Sequence, residues 1–160
     1  MKKSRCLAFL ALIALVLLAP MIGHAEGGMD LSQGQTIYVP AYSHIYVGNR
    51  ENPFLLTVTL SIRNIDTKHP VTITTADYYD TKGKRIRKYL KQPVSLGPLE
   101  SIRYVVPQKD KSGGSGANFI VEWTSTKAVN PLFVETIMIG AESQQGISFT
   151  SRGKAISTEN

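Results

Sequence analysis

Cysteine occurs once in these 160 residues, as Cys6, and that scarcity sets the first limits. Cys6 stands at the head of an N-terminal apolar run, whereas a lipid-modified cysteine would follow such a run, so it leaves with the leader. The rest of the chain has no disulfide, no thiol nucleophile and no thiolate metal ligand. Histidine is also sparse. Beyond His24 only His44 and His69 occur, in separate segments, and they supply no paired metal ligands. No second long apolar run follows the first, so no membrane span is expected after the leader. No cofactor fingerprint is present either, and no cofactor is expected.

Positive charge is in modest excess. The formal net charge is +6, but removing Lys2, Lys3 and Arg5 with the leader leaves basic residues only three ahead of the 12 acidic ones. That is a charge for solubility, and nucleic acid is not an expected partner.

What is present begins with the leader itself. Lys2, Lys3 and Arg5 form a positive segment, Leu7 to Ala19 is uncharged and apolar up to Pro20, and Gly23-His24-Ala25 is a small-x-small cleavage site. A signal peptide over residues 1–25 is expected, with a periplasmic or secreted product in the envelope of a bacterium with two membranes. The roughly 135 residues that remain are enough for a core that needs no covalent staples.

That core is read from Phe54 to Ile62. Phe54, Leu56, Val58, Leu60 and Ile62 share one parity, while Thr57, Thr59, Ser61 and Arg63 take the other, the pattern of a strand with one buried face. Thr36 to Val39 and His44 to Val47 read as short strands on either side of Pro40. Val71 to Tyr79 reads as a strand, with Val71 and Ile73 on one face. Asp80-Thr81-Lys82-Gly83 reads as a hairpin turn with Gly83 at the positive-φ position, followed by Arg85 to Leu90 with Ile86 and Leu90 inward. Further strands follow: Ile102, Tyr104 and Val106 alternate, then Phe119, Val121 and Trp123, then Leu132 to Ile139 and Gly146 to Thr150. Trp123 is the bulky filler of the core.

The expected fold is all-β, an immunoglobulin-like β-sandwich of about 7–9 short strands. Residues 26–35 read as a flexible lead-in, 36–151 as a single domain and 152–160 as a tail.

Three constellations bear on function. The loop from Lys109 to Asn118, KDKSGGSGAN, lacks the Gly-Lys-Ser/Thr of a phosphate-binding loop and the spacing of a nucleophile elbow. Its chemical reading is an anion-binding nest built from Lys109, Lys111, Gly113, Gly114, Ser115, Gly116 and Asn118. A plain inter-strand loop is the structural alternative. The basic run Lys82, Lys84, Arg85, Arg87, Lys88 and Lys91, near Tyr78, Tyr79 and Tyr89, suits an anionic surface, or else an edge hairpin charged against unwanted pairing. Asp66, Asp77 and Asp80 offer a weak calcium arrangement only if turns at one end of the sandwich converge, and no metal site is expected.

The blocks TLSIRNID (59–66), YYDTKGK (78–84), GGSGANFIVEW (113–123) and ETIMIGAESQQGISFTSRG (135–153) resemble a bacterial exported family known only as a domain of unknown function. The likeness spans almost the whole chain after the leader and implies no activity. The Asn-ended strand, the Tyr-Asp-x-x-Gly hairpin and the Leu-x-Pro-Leu-Glu-Ser turn (96–101) also resemble immunoglobulin-like accessory modules of bacterial envelope proteins, which bears on fold alone.

The expected function is therefore an exported, non-enzymatic binding module of the envelope, with an envelope protein or a small anionic ligand as partner. One alternative is a structural or assembly protein that acts by edge-strand addition. The other is a small hydrolase using converging carboxylates.

Overall fold

The computed structural model describes residues 30–142 and 145–159. The expected leader, with Cys6 and the cleavage site, lies outside the described residues. The strands are β1 (Ser32–Pro40), β2 (His44–Val47), β3 (Asn52–Leu55), β4 (Thr57–Arg63), β5 (Val71–Tyr79), β6 (Arg85–Lys88), β7 (Val94–Leu96), β8 (Ser101–Val106), β9 (Asn118–Val129), β10 (Phe133–Glu142), β11 (Gln145–Arg152) and β12 (Lys154–Glu159). Among the described residues twelve strands stand where 7–9 are expected, and there is no helix.

The strands form an all-β sandwich. The larger sheet runs β12-β1-β9-β5-β6 with β7 also on β5, the smaller runs β11-β10-β4-β8, and β2 and β3 make a separate hairpin. The apolar stripe of β4 behaves as its parity requires. Leu56, Val58, Leu60 and Ile62 are fully buried, and in register with them Val134 and Met138 of β10 bury the same face. From the larger sheet come Ile37 and Val39 of β1, Ile73, Ala76 and Tyr78 of β5, and Phe119, Val121 and Trp123 of β9. Each such aliphatic side chain contributes about 1.5–3 kcal/mol on burial, whereas a disulfide typically contributes about 2–4 kcal/mol. A few core residues therefore match what a missing disulfide would have supplied.

Both ends of the domain are longer than expected. The lead-in read as flexible to Gln35 already belongs to β1 from Ser32 onward, and the tail read over 152–160 contains β12, which pairs antiparallel with β1 between Gly34 and Tyr38. Ser32 ties the two together, its Oγ donating to the carbonyl of Glu159 at 2.8 Å. The chain changes sheets at Gly153, between β11 and β12. Its N–H donates to Val134 O at 2.8 Å, and a Cβ there would stand 2.6 Å from Ile37 Cγ2, so only glycine lets the chain cross so close to the core.

At the far end of β4 a polar plug replaces apolar packing. Buried Asn64 donates through Nδ2 to the carbonyls of His69 and Gly97, each at 2.9 Å, and accepts the Asp66 N–H at 3.0 Å. Asp66 in turn accepts from the N–H groups of Lys68 and His69 on Oδ1 and of Asn130 on Oδ2. Three connections, β4–β5, β7–β8 and β9–β10, are thereby joined through two side chains. The backbone hydrogen bonds from Lys68, His69 and Asn130 outweigh burial and lower the Asp66 pKa from 3.8 to about 2.

A carboxyl whose pKa falls on folding stabilises the fold fully above its unfolded value, and that stabilisation is lost as pH falls through the folded value. Asp66→Asn is accordingly expected to lower the melting temperature at neutral pH. The gap from the parent protein should narrow between pH 3.8 and about 2, as followed by circular dichroism melts across that range. A gap independent of pH would show that the carboxylate charge is not what the plug uses.

Candidate functional site

The β5–β6 hairpin is shaped by Asp80. Its Oδ1 accepts the N–H groups of Lys82 and Lys84, both at 2.9 Å, and Gly83 takes the positive φ of 77° that the turn requires. Thr81 at the tip reaches across to the Gly-rich loop. Its N–H and Oγ1 both donate to Gly113 O, at 2.9 and 3.0 Å, and its Oγ1 accepts from the Gly116 N–H at 3.0 Å. On the other flank Ser43 donates from its N–H and Oγ to Gly114 O, at 3.0 and 3.1 Å.

The glycines permit this approach. A Cβ on Gly113 would collide with the Tyr78 hydroxyl, and one on Gly114, where φ is 79°, would collide with Thr81 Oγ1. The N–H of Gly114 is also engaged, on Lys111 O at 3.3 Å, and with those of Asp110, Ser112 and Gly116 four of the loop's amides are taken up inside the protein. Ser115 is half-buried, and Asn118 opens β9, in register with Pro40 and Tyr79.

Side chains complete the junction. Arg87 pairs with Asp110 at 2.7 Å, and Asp110 Oδ1 accepts the N–H and Oγ of Ser112. Burial opposes ionisation of Asp110, but the Ser112 hydrogen bonds and the Arg87 guanidinium outweigh it and hold the carboxyl below its usual range. Arg87 also lies 5.5 Å from the Tyr89 ring centroid and donates to its hydroxyl at 3.1 Å. Beneath them Tyr89 packs on Tyr104 and Phe119, with centroids 5.0 and 5.9 Å apart, and Phe119 packs on Tyr78 at 4.8 Å. Burial raises the pKa of both Tyr78 and Tyr89, so both hydroxyls stay protonated.

The structure thus brings together two stretches that are separate in sequence, the basic hairpin and the Gly-rich loop. Arg85 is committed to Asp77 at 2.9 Å and Arg87 to Asp110. Lys82, Lys84, Lys88, Lys91, Lys109 and Lys111 are all exposed, and among the described residues none pairs with a carboxylate. The aspartates considered for calcium do not converge: Asp66 is spent in the polar plug, Asp77 on Arg85 and Asp80 on its own turn. Among the described residues no group of three metal-ligating side chains occurs.

Sequence reasoning did not single out two surface clefts. One, of about 220 Å³ on the outer face of the larger sheet, is lined by Glu122 and Glu159 among other polar residues. Glu122 Oε2 accepts from Thr75 Oγ1 at 2.7 Å. No periodic signal joins Glu122 to Glu159; the pairing of β1 with both β9 and β12 does so.

Residues 34–156 match the model of a family described as a protein of unknown function (DUF3124). The chain belongs to that family. The match runs from β1 into β12 and so takes in both sheets and the β2–β3 hairpin. No curated protein matches the chain. A crystal structure of Thermotoga maritima 1070 is similar at 12% identity and a TM-score of 0.46, covering 75% of this chain and 92% of that one.

The junction makes a direct prediction. Thr81→Val removes the hydroxyl that serves Gly113 O and Gly116 N–H, and is expected to cost about 1 kcal/mol of stability. Faster amide exchange should be confined to the Gly-rich loop and the hairpin tip, read by hydrogen-exchange mass spectrometry. Unchanged exchange in the loop would show that hairpin and loop are not coupled.

Proposed function

We propose that the protein is an exported, non-enzymatic binding module of the bacterial envelope, and that the hairpin and Gly-rich loop together form its contact surface for an anionic partner. The observation that carries this reading is the set of six exposed lysines, none paired with a carboxylate among the described residues, on two stretches held together by the Thr81 hydrogen bonds to Gly113 and Gly116. Loops fixed to a rigid sheet are where such folds present binding groups. The lysines act as exposed point charges with flexible stems, suited to a diffuse anionic surface rather than to one oriented ligand. The N-terminal pattern of charged segment, apolar run and small-residue cleavage site supports export.

A second reading is favoured by one observation. β12 ends the larger sheet, and all six of its residues are exposed, with Ile156 at 61%. Such an edge suits strand addition by an assembly partner.

Co-sedimentation with vesicles separates the two. Binding to vesicles containing phosphatidylglycerol, absent with phosphatidylcholine alone and falling as salt rises, is the expected result. Each lysine near an anionic surface is worth about 1 kcal/mol, so Lys109→Ala with Lys111→Ala should weaken binding roughly thirtyfold, as should Lys82→Ala with Lys84→Ala. Equal binding by the parent protein and both double variants would overturn the lysine surface and move the weight to the β12 edge.

A further inference from the structure

The outer face of the smaller sheet carries a second cleft, a groove of about 280 Å³ lined by Arg63, Arg103, Ser61, Ser101, Thr59 and Ile137 among others. Strand register assembles it. Arg63 lies opposite Ser101 and Ser61 opposite Arg103 on the antiparallel pair β4–β8, so the two arginines are diagonal neighbours, about 7–8 Å apart. Arg63 Nε donates to Ser61 Oγ at 3.1 Å, which draws its guanidinium back along β4 toward the Ser61–Arg103 row. Among the described residues neither arginine pairs with a carboxylate.

The nearest carboxylate in register does not neutralise them. Glu135 stands beside Ser61 on β10, two strands from Arg103, and has Arg152 as its neighbour on β11. Arg103 and Arg152 therefore outnumber the Glu135 that shares their row, and Arg63 stands in the next row, beside Phe133 and Ser101. The next rows along the same face set isoleucine and valine beside threonine. Ile137 and Val105 flank Thr59, and Ile139 lies opposite Thr57, with Val105 and Ile139 42% and 54% exposed.

We infer that this groove binds an amphiphilic oxyanion, a carboxylate or phosphate carrying a short apolar body. The Arg63 and Arg103 guanidinium groups hold the oxyanion, because a planar fork of N–H donors matches its oxygens. The Ser101 hydroxyl is placed to donate to a remaining lone pair. The apolar body then runs over Ile137 and Val105 toward Ile139. The site lies on the opposite sheet from the β5–β6 hairpin and shares no residue with the lysine surface, so neither reading depends on the other.

Isothermal titration of the purified protein, with each probe below its micelle concentration, tests this. Octanoate and octyl phosphate stand for the two head groups, inorganic phosphate for a head alone and octyl glucoside for a neutral amphiphile. The expected result is saturable one-to-one binding of octanoate, octyl phosphate or both, the stronger of the two identifying the head group. Inorganic phosphate should bind more weakly and octyl glucoside not at all. R63Q with R103Q should weaken binding by about tenfold or more, as expected for the loss of charge-assisted pairs. R63K with R103K, which keeps charge and loses the fork, should also weaken it. I139S should weaken the amphiphiles and leave inorganic phosphate unchanged, and replacing Lys109 and Lys111 by alanine should change nothing here. Equal binding of octyl glucoside, full binding by both arginine variants, or no saturable binding of any probe would each overturn the inference.

Discussion

A single irregularity in β5 governs how the sandwich and its loop end fit together. Between Ile73 and Thr75 the pairing with β9 slips by one residue, and the inward parity changes with it, from Val71 and Ile73 to Ala76 and Tyr78. Without the bulge Tyr78 would face outward. Turned inward, it packs on Phe119 and brings its hydroxyl against Gly113, where no side chain can stand. The hydroxyl has no hydrogen-bond partner among the described residues, a cost of about 1–3 kcal/mol. Burial of the ring offsets that by about 1.5–3 kcal/mol, and the aromatic pair adds roughly 0.5–1.5 kcal/mol. The glycine at position 113 and the seating of the whole loop follow from where that ring goes.

The opposite end is fixed by a different means. Asn64 and Asp66 replace apolar packing with side-chain hydrogen bonds to backbone groups of three connections. Such bonds are directional, so they set the position of each turn in a way that apolar contact does not. A chain without structural disulfides has its sheets held by the central apolar layer, its polar end by two side chains and its loop end by close glycines. Each device acts where the others are weak.

Much of this was legible in the sequence, and the exceptions share a cause. The alternation in β4 and β9 placed most of their residues inside or outside with no structural help, because each strand buries chiefly one face; Ser61, on the outward parity of β4, is nevertheless buried. Gly83 announced its turn. β12 gave no signal, since none of its six residues is buried and it is held through backbone pairing. The phase change in β5 was hidden because a bulge adds a residue without changing composition. The lysine stretches were each legible by themselves, whereas the arginine groove did not appear at all. Lys109 and Lys82, or Arg63 and Arg103, lie on different strands or loops, and only topology and register make them neighbours. Arg63 alone reads as an ordinary solvent-facing residue of an alternating strand.

The basic run also divides in a way that composition conceals. The Arg87–Asp110 pair is partly exposed, and such pairs are worth about 0–1 kcal/mol, too little to fasten hairpin to loop. The fastening is done by the Thr81 bonds and the glycine approach. Arg85 is different, because its partner Asp77 is buried, and stripping one member from such a pair leaves an uncompensated charge worth about 3–5 kcal/mol in lost stability. That cost is discounted here by the exposed half of Arg85, which lets water reach the pair, but it still exceeds that of Arg87. Arg85 thus belongs to the fold and Arg87 to the junction, and the charge free to meet a partner resides in the lysines around them.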